Sequence, residues 1–114
     1  MKFYGYSKCG TCRKAKTFLD EKNIKYTDID ITLTPPPKTV LKRAMKAKGM
    51  RKLFNTSGVQ YKELKIKDKI GAMTEVQAID LLAANGRLVK RPIAVDQDRV
   101  TVGFNAEEYE SVWG

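Results

Sequence analysis

The stretch KFYGYSKCGTCRKAKTFLDEKNIKYTDIDI, residues 2–31, predicts a strand, a helix and a second strand. The aromatic run at residues 2–6 is typical of a buried strand. A helical pattern of apolar residues follows it and ends near Asn23, and residues 25–31 then alternate between two faces. This order within about 30 residues indicates a right-handed unit with parallel strands. Such units place their chemistry after the first strand, which is where both cysteines of the chain lie.

The middle of the chain predicts two helices. Three consecutive prolines after the second strand stop that strand and open a helix, which ends at Gly49. Thr74 and Gln77 have the spacing of a capping box, so another helix starts there and closes at Asn85–Gly86. Between the two helices, residues 51–61 predict only a short helical turn and a loop.

The end of the chain predicts a β-hairpin and a closing helix. Residues 88–104 have the pattern of two strands that turn at 96–98, and NAEE at 105–108 is a second capping box, which starts the last helix. The whole order indicates an α/β thioredoxin-like fold with a mixed sheet. The inserted helical subdomain covers about residues 35–87.

The length and composition are those of one globular domain, residues 1–114. The chain is 42% hydrophobic and 31% charged, which argues against a disordered protein. No segment approaches the roughly 18 consecutive apolar residues that a membrane span needs, so no membrane association is expected. The N-terminus lacks the apolar core of a signal peptide, and we therefore expect a cytoplasmic protein.

The formal net charge of +9 indicates an anionic small substrate or an acidic protein surface as a partner. The same lysines are also consistent with ordinary solvated helix faces. No helix-turn-helix, zinc-finger or RNP-type pattern accompanies the charge, so direct binding of nucleic acid is not expected.

Cys9 and Cys12 form a Cys-x-x-Cys motif in a chain that contains no histidine. Three interpretations compete: a redox pair, half of a metal site, and two inert buried residues. A structural zinc site needs four ligands, usually Cys and His, so a metal site is the least expected of the three. The missing histidine also argues against Cys–His hydrolysis. Thiol–disulfide exchange needs thiols and an electropositive pocket but no separate base, so it is favoured.

In a thioredoxin-like frame, Cys9 lies at the N-terminus of the first helix. The helix dipole and the exposed backbone N–H groups there favour its thiolate. Cations such as Arg13 add positive potential and bias the pocket toward anions. Cys9 is therefore the predicted nucleophile, and Cys12, about one turn further along, is placed to resolve a mixed disulfide. Gly10 and Thr11 complete this active-site loop.

Arg91 and Pro92 are further candidates for the site. In a thioredoxin-like frame, a proline immediately before the third strand packs against the cysteine loop, commonly with a cis peptide bond, and shapes the substrate groove. The alternative interpretation is that Pro92 merely starts a strand, at the edge of that strand. Arg91 could bind an oxyanion or a carboxylate with its planar set of donors.

Three motifs together resemble the ArsC/Spx family: CGTCR at 9–13, YKEL at 61–64 and RPI at 91–93. The resemblance covers essentially the whole chain, in order and with compatible spacings. It is strongest to a subgroup of arsenate reductase-like proteins with Cys-Gly-Thr-Cys and NTSG. It implies a thioredoxin fold with a helical insertion.

The arsenate reductases of this family use a single cysteine, and the resemblance assigns that nucleophile to Cys9. They take electrons from glutathione and glutaredoxin. Cys12 stands where those enzymes have a serine. Of the three arginines that surround their oxyanion, Arg91 matches one and Asn55 replaces another. The third has no clear counterpart, since Arg99 is nearby but aligns poorly.

The Spx-type regulators of the family carry a Cys-x-x-Cys switch, which Cys9 and Cys12 match, and they bind the C-terminal domain of the RNA polymerase α subunit. The sequence therefore predicts, first, a thiol–disulfide oxidoreductase that uses Cys9 and Cys12 and has a thiol-containing redox partner. It predicts no resident cofactor, with glutathione, glutaredoxin or thioredoxin as electron donor. The alternative is an Spx-like redox-sensing regulator, and the third hypothesis is an arsenate reductase with a small oxyanion substrate.

Overall fold

The computed structural model describes residues 1–114 and contains one four-stranded mixed sheet. The strand order is β2-β1-β3-β4. β1 runs parallel to β2 and antiparallel to β3, and β4 pairs antiparallel with β3. The strands are β1 (Lys2–Gly5), β2 (Thr27–Asp30), β3 (Ile93–Val95) and β4 (Val100–Val102).

Six α-helices and three short 3₁₀ turns complete the chain. The helices are α1 (Gly10–Glu21), α2 (Lys38–Lys48), α3 (Val59–Glu63), α4 (Ile66–Lys69), α5 (Glu75–Ala84) and α6 (Ala106–Val112), and the 3₁₀ turns lie at Arg51–Leu53, Ile70–Ala72 and Gly86–Leu88. None of the helices combines the length and the apolar character needed to cross a membrane. The predicted thioredoxin-like α/β fold, with helices between β2 and β3, is confirmed.

The sheet separates two apolar clusters because neighbouring side chains of a strand point to opposite faces. Phe3 of β1 packs on one face with α1 and α6. Tyr4 of β1 and the β3 residues Ile93 and Val95 pack on the other face with α2 and α5. Helices therefore cover both faces of the sheet, and β1 and β3 are its inner strands.

Three details differ from the sequence prediction. The segment that starts at residue 51 is more helical than predicted, because α3 and α4 follow the 3₁₀ turn at Arg51–Leu53. The strands of the hairpin are shorter than residues 88–104 suggest. The second capping box is only half formed: Asn105 caps α6 by accepting from the Glu108 N–H, while the Glu108 carboxylate pairs with Lys48. The Glu108 carboxylate thus pairs with Lys48 of α2 instead of accepting from the Asn105 N–H, which is the second bond of a capping box.

Candidate functional site

Cys9 is the N-cap residue of α1. Its backbone is extended, with φ −91° and ψ 119°, and its N–H donates to the Tyr6 carbonyl at 3.1 Å. The Cys9 Sγ in turn accepts a hydrogen bond from the Cys12 backbone N–H, with 3.4 Å between nitrogen and sulfur. The thiol of Cys9 thus occupies the position in which Ser or Asp caps other helices, where a negative charge is favoured.

Cys12 lies one turn further along α1 and is fully buried against the sheet. Its Sγ accepts a hydrogen bond from the Tyr6 N–H at 3.5 Å. Gly5, at the end of β1, makes room for this sulfur, because a Cβ there would lie 3.3 Å from the Cys12 Sγ and 2.6 Å from the Phe3 ring. Cys12 is therefore held beneath Cys9 while Cys9 remains partly exposed.

The surroundings of the two thiols shift their pKa values in opposite directions. Burial alone would raise the pKa of the Cys9 thiol, but hydrogen bonds from Cys12 and the positive charge of Arg91 outweigh it, and the pKa falls below its ordinary value. Burial, together with the neighbouring Cys9, raises the pKa of the Cys12 thiol to about 12. At neutral pH the pair therefore consists of a partly exposed, thiolate-favouring sulfur above a buried neutral thiol.

Arg91 and Pro92 lie beside this pair. The Arg91–Pro92 peptide bond is cis, and Pro92 is buried directly before β3, an inner strand of the sheet. The Pro92 carbonyl accepts from the Gly103 N–H of the hairpin at 2.8 Å. The Arg91 guanidinium lies over the Tyr6 ring, 5.3 Å from its centroid, where a cation–π contact holds it next to the cysteine loop.

The other predicted site residues, Gly10, Thr11 and Arg13, contact Cys9 only through their backbone or not at all. Gly10 and Thr11 are exposed at the start of α1, and the Thr11 N–H is among the groups that lower the pKa of Cys9. Arg13 is exposed on α1, and its backbone N–H donates to the Cys9 carbonyl at 3.1 Å. Anion binding by the Arg13 side chain stays a prediction.

Two clefts flank the cysteine loop. The first, the lysine cleft, has a volume of about 720 Å³ and is lined by Thr11 and by Lys48, Lys52 and Lys90. The second, the arginine cleft, has a volume of about 400 Å³ and is lined by Arg87, Arg91, Tyr6, Thr32 and the α3 residues Val59 and Gln60, among others.

Tyr6 and Arg87 are the site residues that the sequence prediction missed. Tyr6 touches the site through its backbone and its ring, but in the sequence it is one of several aromatic residues at the end of a strand. Arg87 follows the helix-closing Asn85–Gly86 and has no motif of its own. No group of three or more His, Cys, Asp or Glu side chains lies close enough together to hold a metal ion.

Comparison with known proteins identifies the family. By sequence, the ArsC family matches residues 4–112. The chain belongs to the ArsC family. It is 45% identical over 113 residues to the uncharacterised protein YusI of Bacillus subtilis, with 97% of this chain and 96% of that protein covered. The crystal structure of an ArsC family related protein from Bacteroides fragilis superimposes with a TM-score of 0.90 at 48% identity, covering 96% of this chain and 94% of that one.

The relatives of this chain also include proteins that are described as regulators. The global transcriptional regulator Spx 2 of Bacillus anthracis is 29% identical over 107 residues, with 92% of this chain and 80% of that protein covered. Membership of the ArsC family therefore leaves both the enzymatic and the regulatory hypotheses open.

The arginines of this ArsC family member are arranged differently from the three that the resemblance implies. Asn55 and Arg91 line the same cleft, so an amide takes the position of one expected guanidinium. Arg99 binds the Asp96 carboxylate at 2.6 Å and the Val112 carbonyl at 2.7 Å, and it stacks on Trp113. These contacts hold the Arg99 side chain between the hairpin and α6, so it does not take part in the cysteine site. Only Arg91 of the expected set lies beside the cysteines.

Replacing Arg91 by glutamine is expected to raise the pKa of Cys9 and to slow its alkylation by iodoacetamide at pH 7 by about threefold, because the positive charge that favours the thiolate is lost. The measurement is the alkylation rate of Cys9 against pH in a Cys12→Ser background. Arg13→Gln removes the same charge from α1 and is the matched control. An equal effect of the two variants would contradict the special role of Arg91.

Proposed function

We propose that this protein is a thiol–disulfide oxidoreductase that uses Cys9 and Cys12 as its redox pair. The observation that carries the proposal is the asymmetry of the two thiols. Cys9 is partly exposed at a helix N-terminus with a lowered pKa, and Cys12 is buried beneath it with a pKa raised to about 12. A reactive thiolate above a protected neutral thiol is the arrangement that attack followed by resolution requires.

The reaction proceeds in two exchanges. In the first, the Cys9 thiolate attacks one sulfur of a substrate disulfide, a Cys9–substrate disulfide forms, and the other substrate sulfur leaves as a thiolate. In the second, Cys12 loses its proton, attacks the Cys9 sulfur and releases the remaining substrate sulfur. The substrate disulfide gains two electrons from the protein, one proton from Cys12 and one proton from solvent, and the protein is left with a Cys9–Cys12 disulfide.

The leaving substrate thiolate is a base that can accept the Cys12 proton. Cys12 must be deprotonated for the second exchange, although its thiol is neutral in the resting state. Once Cys9 is bonded to the substrate, it no longer carries the negative charge that helps to keep Cys12 protonated. The first exchange thereby activates the second, which keeps Cys12 protected until it is needed.

A dithiol or a monothiol pool must then reduce the Cys9–Cys12 disulfide. Thioredoxin, glutaredoxin or glutathione would supply the two electrons, and no resident cofactor is required. Both cysteines are free in the structure. A cycle that regenerates the dithiol needs a reducing compartment, so the proposal includes a cytoplasmic location.

Arsenate reduction is a weaker proposal for this site. A tetrahedral oxyanion carries several negative charges, and the site offers one guanidinium beside Cys9. Asn55 replaces a second cation, and Arg99 is bound to Asp96 and to the Val112 carbonyl. Cys12 also supplies a resolving thiol that a reaction depending on external glutathione does not need.

The second candidate is a redox-sensing regulator that binds the RNA polymerase α subunit. The observation that favours it is the match to the regulator Spx 2, which covers 92% of this chain. In this case the same Cys9–Cys12 disulfide would be a signal that changes a binding surface. The regulator would need to be oxidised once per signal and would not need rapid turnover.

Turnover separates the two candidates. We expect the protein to catalyse NADPH consumption with thioredoxin reductase, thioredoxin and a peptide disulfide, above the rate of the same mixture without it. The Cys9→Ser variant is the blank, and glutathione with glutaredoxin is the second donor system to be tried. Oxidation that stops after one equivalent with both donors would contradict the enzymatic proposal. A redox-dependent pull-down of the polymerase α subunit would then support the regulator.

A further inference from the structure

The arginine cleft lies beside the cysteine loop. Two of its lining residues contact the site: the Arg91 charge acts on Cys9, and the Tyr6 backbone bonds both cysteines. Cys9 does not itself line the cleft, so a molecule bound there lies next to the cysteine loop and must extend past Arg91 and Tyr6 to contact the sulfur. The insertion between β2 and β3 supplies most of the lining, so the cleft belongs to this fold variant and not to the sheet alone.

The two arginines of the cleft have no carboxylate partner within ion-pair distance. The five ion pairs of the protein involve other cations. Glu63 on α3 lines the same cleft but pairs with neither arginine. Oδ1 of Asp30 accepts from the Thr32 O–H and N–H, which are the main causes of the lowered pKa of that carboxyl; the charge of Arg87 contributes less, and the two side chains form no ion pair. Both guanidinium groups are thus available to an anion from outside.

The other features of the cleft fit a polypeptide better than an inorganic anion. Its volume of about 400 Å³ is several times that of a tetrahedral oxyanion. Val59 on its wall is 69% exposed, which offers an apolar contact. Gln60 also lines the cleft and adds a polar side chain to this wall, beside the apolar Val59.

We propose that the arginine cleft binds an acidic segment of a polypeptide substrate, with a substrate carboxylate at Arg87 and Arg91 and the substrate sulfur at Cys9. This inference rests on the proposed function and gives its substrate class: proteins whose reactive cysteine has an aspartate or glutamate close to it in the chain. Arg91 serves both the thiolate and the carboxylate, whereas Arg87 acts in substrate specificity.

The test is non-covalent binding of two labelled peptides to the protein in a Cys9→Ser background. One peptide contains aspartate and glutamate, the other contains asparagine and glutamine at the same positions, and both carry serine in place of cysteine. We expect the acidic peptide to bind about fivefold more tightly or better, because its carboxylate makes charge-assisted hydrogen bonds to Arg87. Arg87→Gln is expected to remove the difference, and Arg87→Lys to keep part of it.

Arg51→Gln is the matched control, since Arg51 is an exposed arginine outside the cleft. It is expected to keep the preference. Equal binding of the two peptides, or a preference that Arg87→Gln leaves unchanged, would overturn the proposal. Circular dichroism of each variant shows whether it has folded, and Arg87→Lys provides the comparison if Arg87→Gln has not.

A second measurement distinguishes failure of the cleft proposal from failure of the oxidoreductase proposal. The same two peptides with their cysteine in a mixed disulfide measure exchange by the wild-type protein. If no exchange occurs but the acidic peptide still binds through Arg87, the oxidoreductase proposal fails and the cleft remains. If exchange occurs at equal rates for both peptides and their binding is also equal, the cleft proposal fails and the redox function remains.

Discussion

Replacing Cys9 by serine is expected to slow the reaction of the protein with an aromatic disulfide reagent at pH 7 by about a hundredfold or more. The remaining thiol is Cys12, which is fully buried, and burial is the largest cause of its raised pKa. A buried thiol with a raised pKa carries far less thiolate at pH 7 than the few per cent of an ordinary cysteine, and the reagent also reaches it less easily. The higher nucleophilicity of a more basic thiolate recovers only part of this difference. Stopped-flow measurement of the released aromatic thiolate gives the rate.

Cys12→Ser is the matched control for this experiment, because it also leaves a single thiol. It is expected to react at a rate close to that of the wild-type protein, because the serine hydroxyl can donate to the Cys9 sulfur in place of the Cys12 thiol. Cys9 also keeps the backbone N–H of residue 12 and the charge of Arg91. If the two single-thiol variants react at similar rates, the difference in their environments does not control reactivity, and the assignment of Cys9 as nucleophile is wrong.

Replacing Gly86 by alanine is expected to lower the free energy of unfolding by about 3 kcal/mol or more. A Cβ at this position would lie 1.8 Å from the Ile31 carbonyl oxygen and 2.9 Å from its carbon. Both are backbone atoms directly after β2, so they cannot rotate away as the end of a flexible side chain can. The Gly86–Leu88 turn would have to move, and Arg87 of the cleft would move with it. Urea unfolding, monitored by circular dichroism, measures the effect.

Gly71→Ala is the matched control for that measurement. Gly71 is exposed in another 3₁₀ turn, and a Cβ there would meet nothing within 4 Å. Its unfolding free energy is expected to stay within about 0.5 kcal/mol of the wild-type value. A similarly small change for Gly86→Ala would show that the contact with Ile31 can relax, and the prediction would be wrong.

The cysteine loop and the elements around it were predictable because their signals are local. The N-cap position of Cys9 follows from a strand and a helix whose patterns lie within residues 2–31. Thr74 and Gln77 form both bonds of the predicted capping box. Gly49 ends α2 with φ 88°, a conformation that glycine adopts readily. Each of these features depends on residues only a few positions apart.

Gly86 shows a limit of such local reasoning. The sequence predicts it as a residue that closes a helix, and α5 does end there, with Asn85 as its C-cap. The need for glycine comes instead from the close approach of Ile31, which lies 55 residues earlier in the chain. Local patterns do not report such contacts between distant segments.

The helices of the middle segment and the arginine cleft were missed for related reasons. Val59 and Leu64 are exposed, so α3 lacks the apolar periodicity that indicates a helix, and only Ile66 and Ile70 of the next turns are buried. The cleft brings Tyr6, Gln60 and Arg87 together from three parts of the chain. Nothing in their separate surroundings predicts that they share a wall.

The fate of the substrate sulfur tests the central claim, that Cys9 attacks and Cys12 resolves, most directly. The reduced wild-type protein is mixed anaerobically with one equivalent of a disulfide-linked peptide, remaining thiols are blocked, and intact mass and peptide mapping follow. We predict a protein without adduct, a Cys9–Cys12 disulfide and complete release of peptide thiols, whereas Cys12→Ser retains a peptide on Cys9. A stable adduct on Cys9 of the wild-type protein, or any adduct on Cys12, would contradict the account.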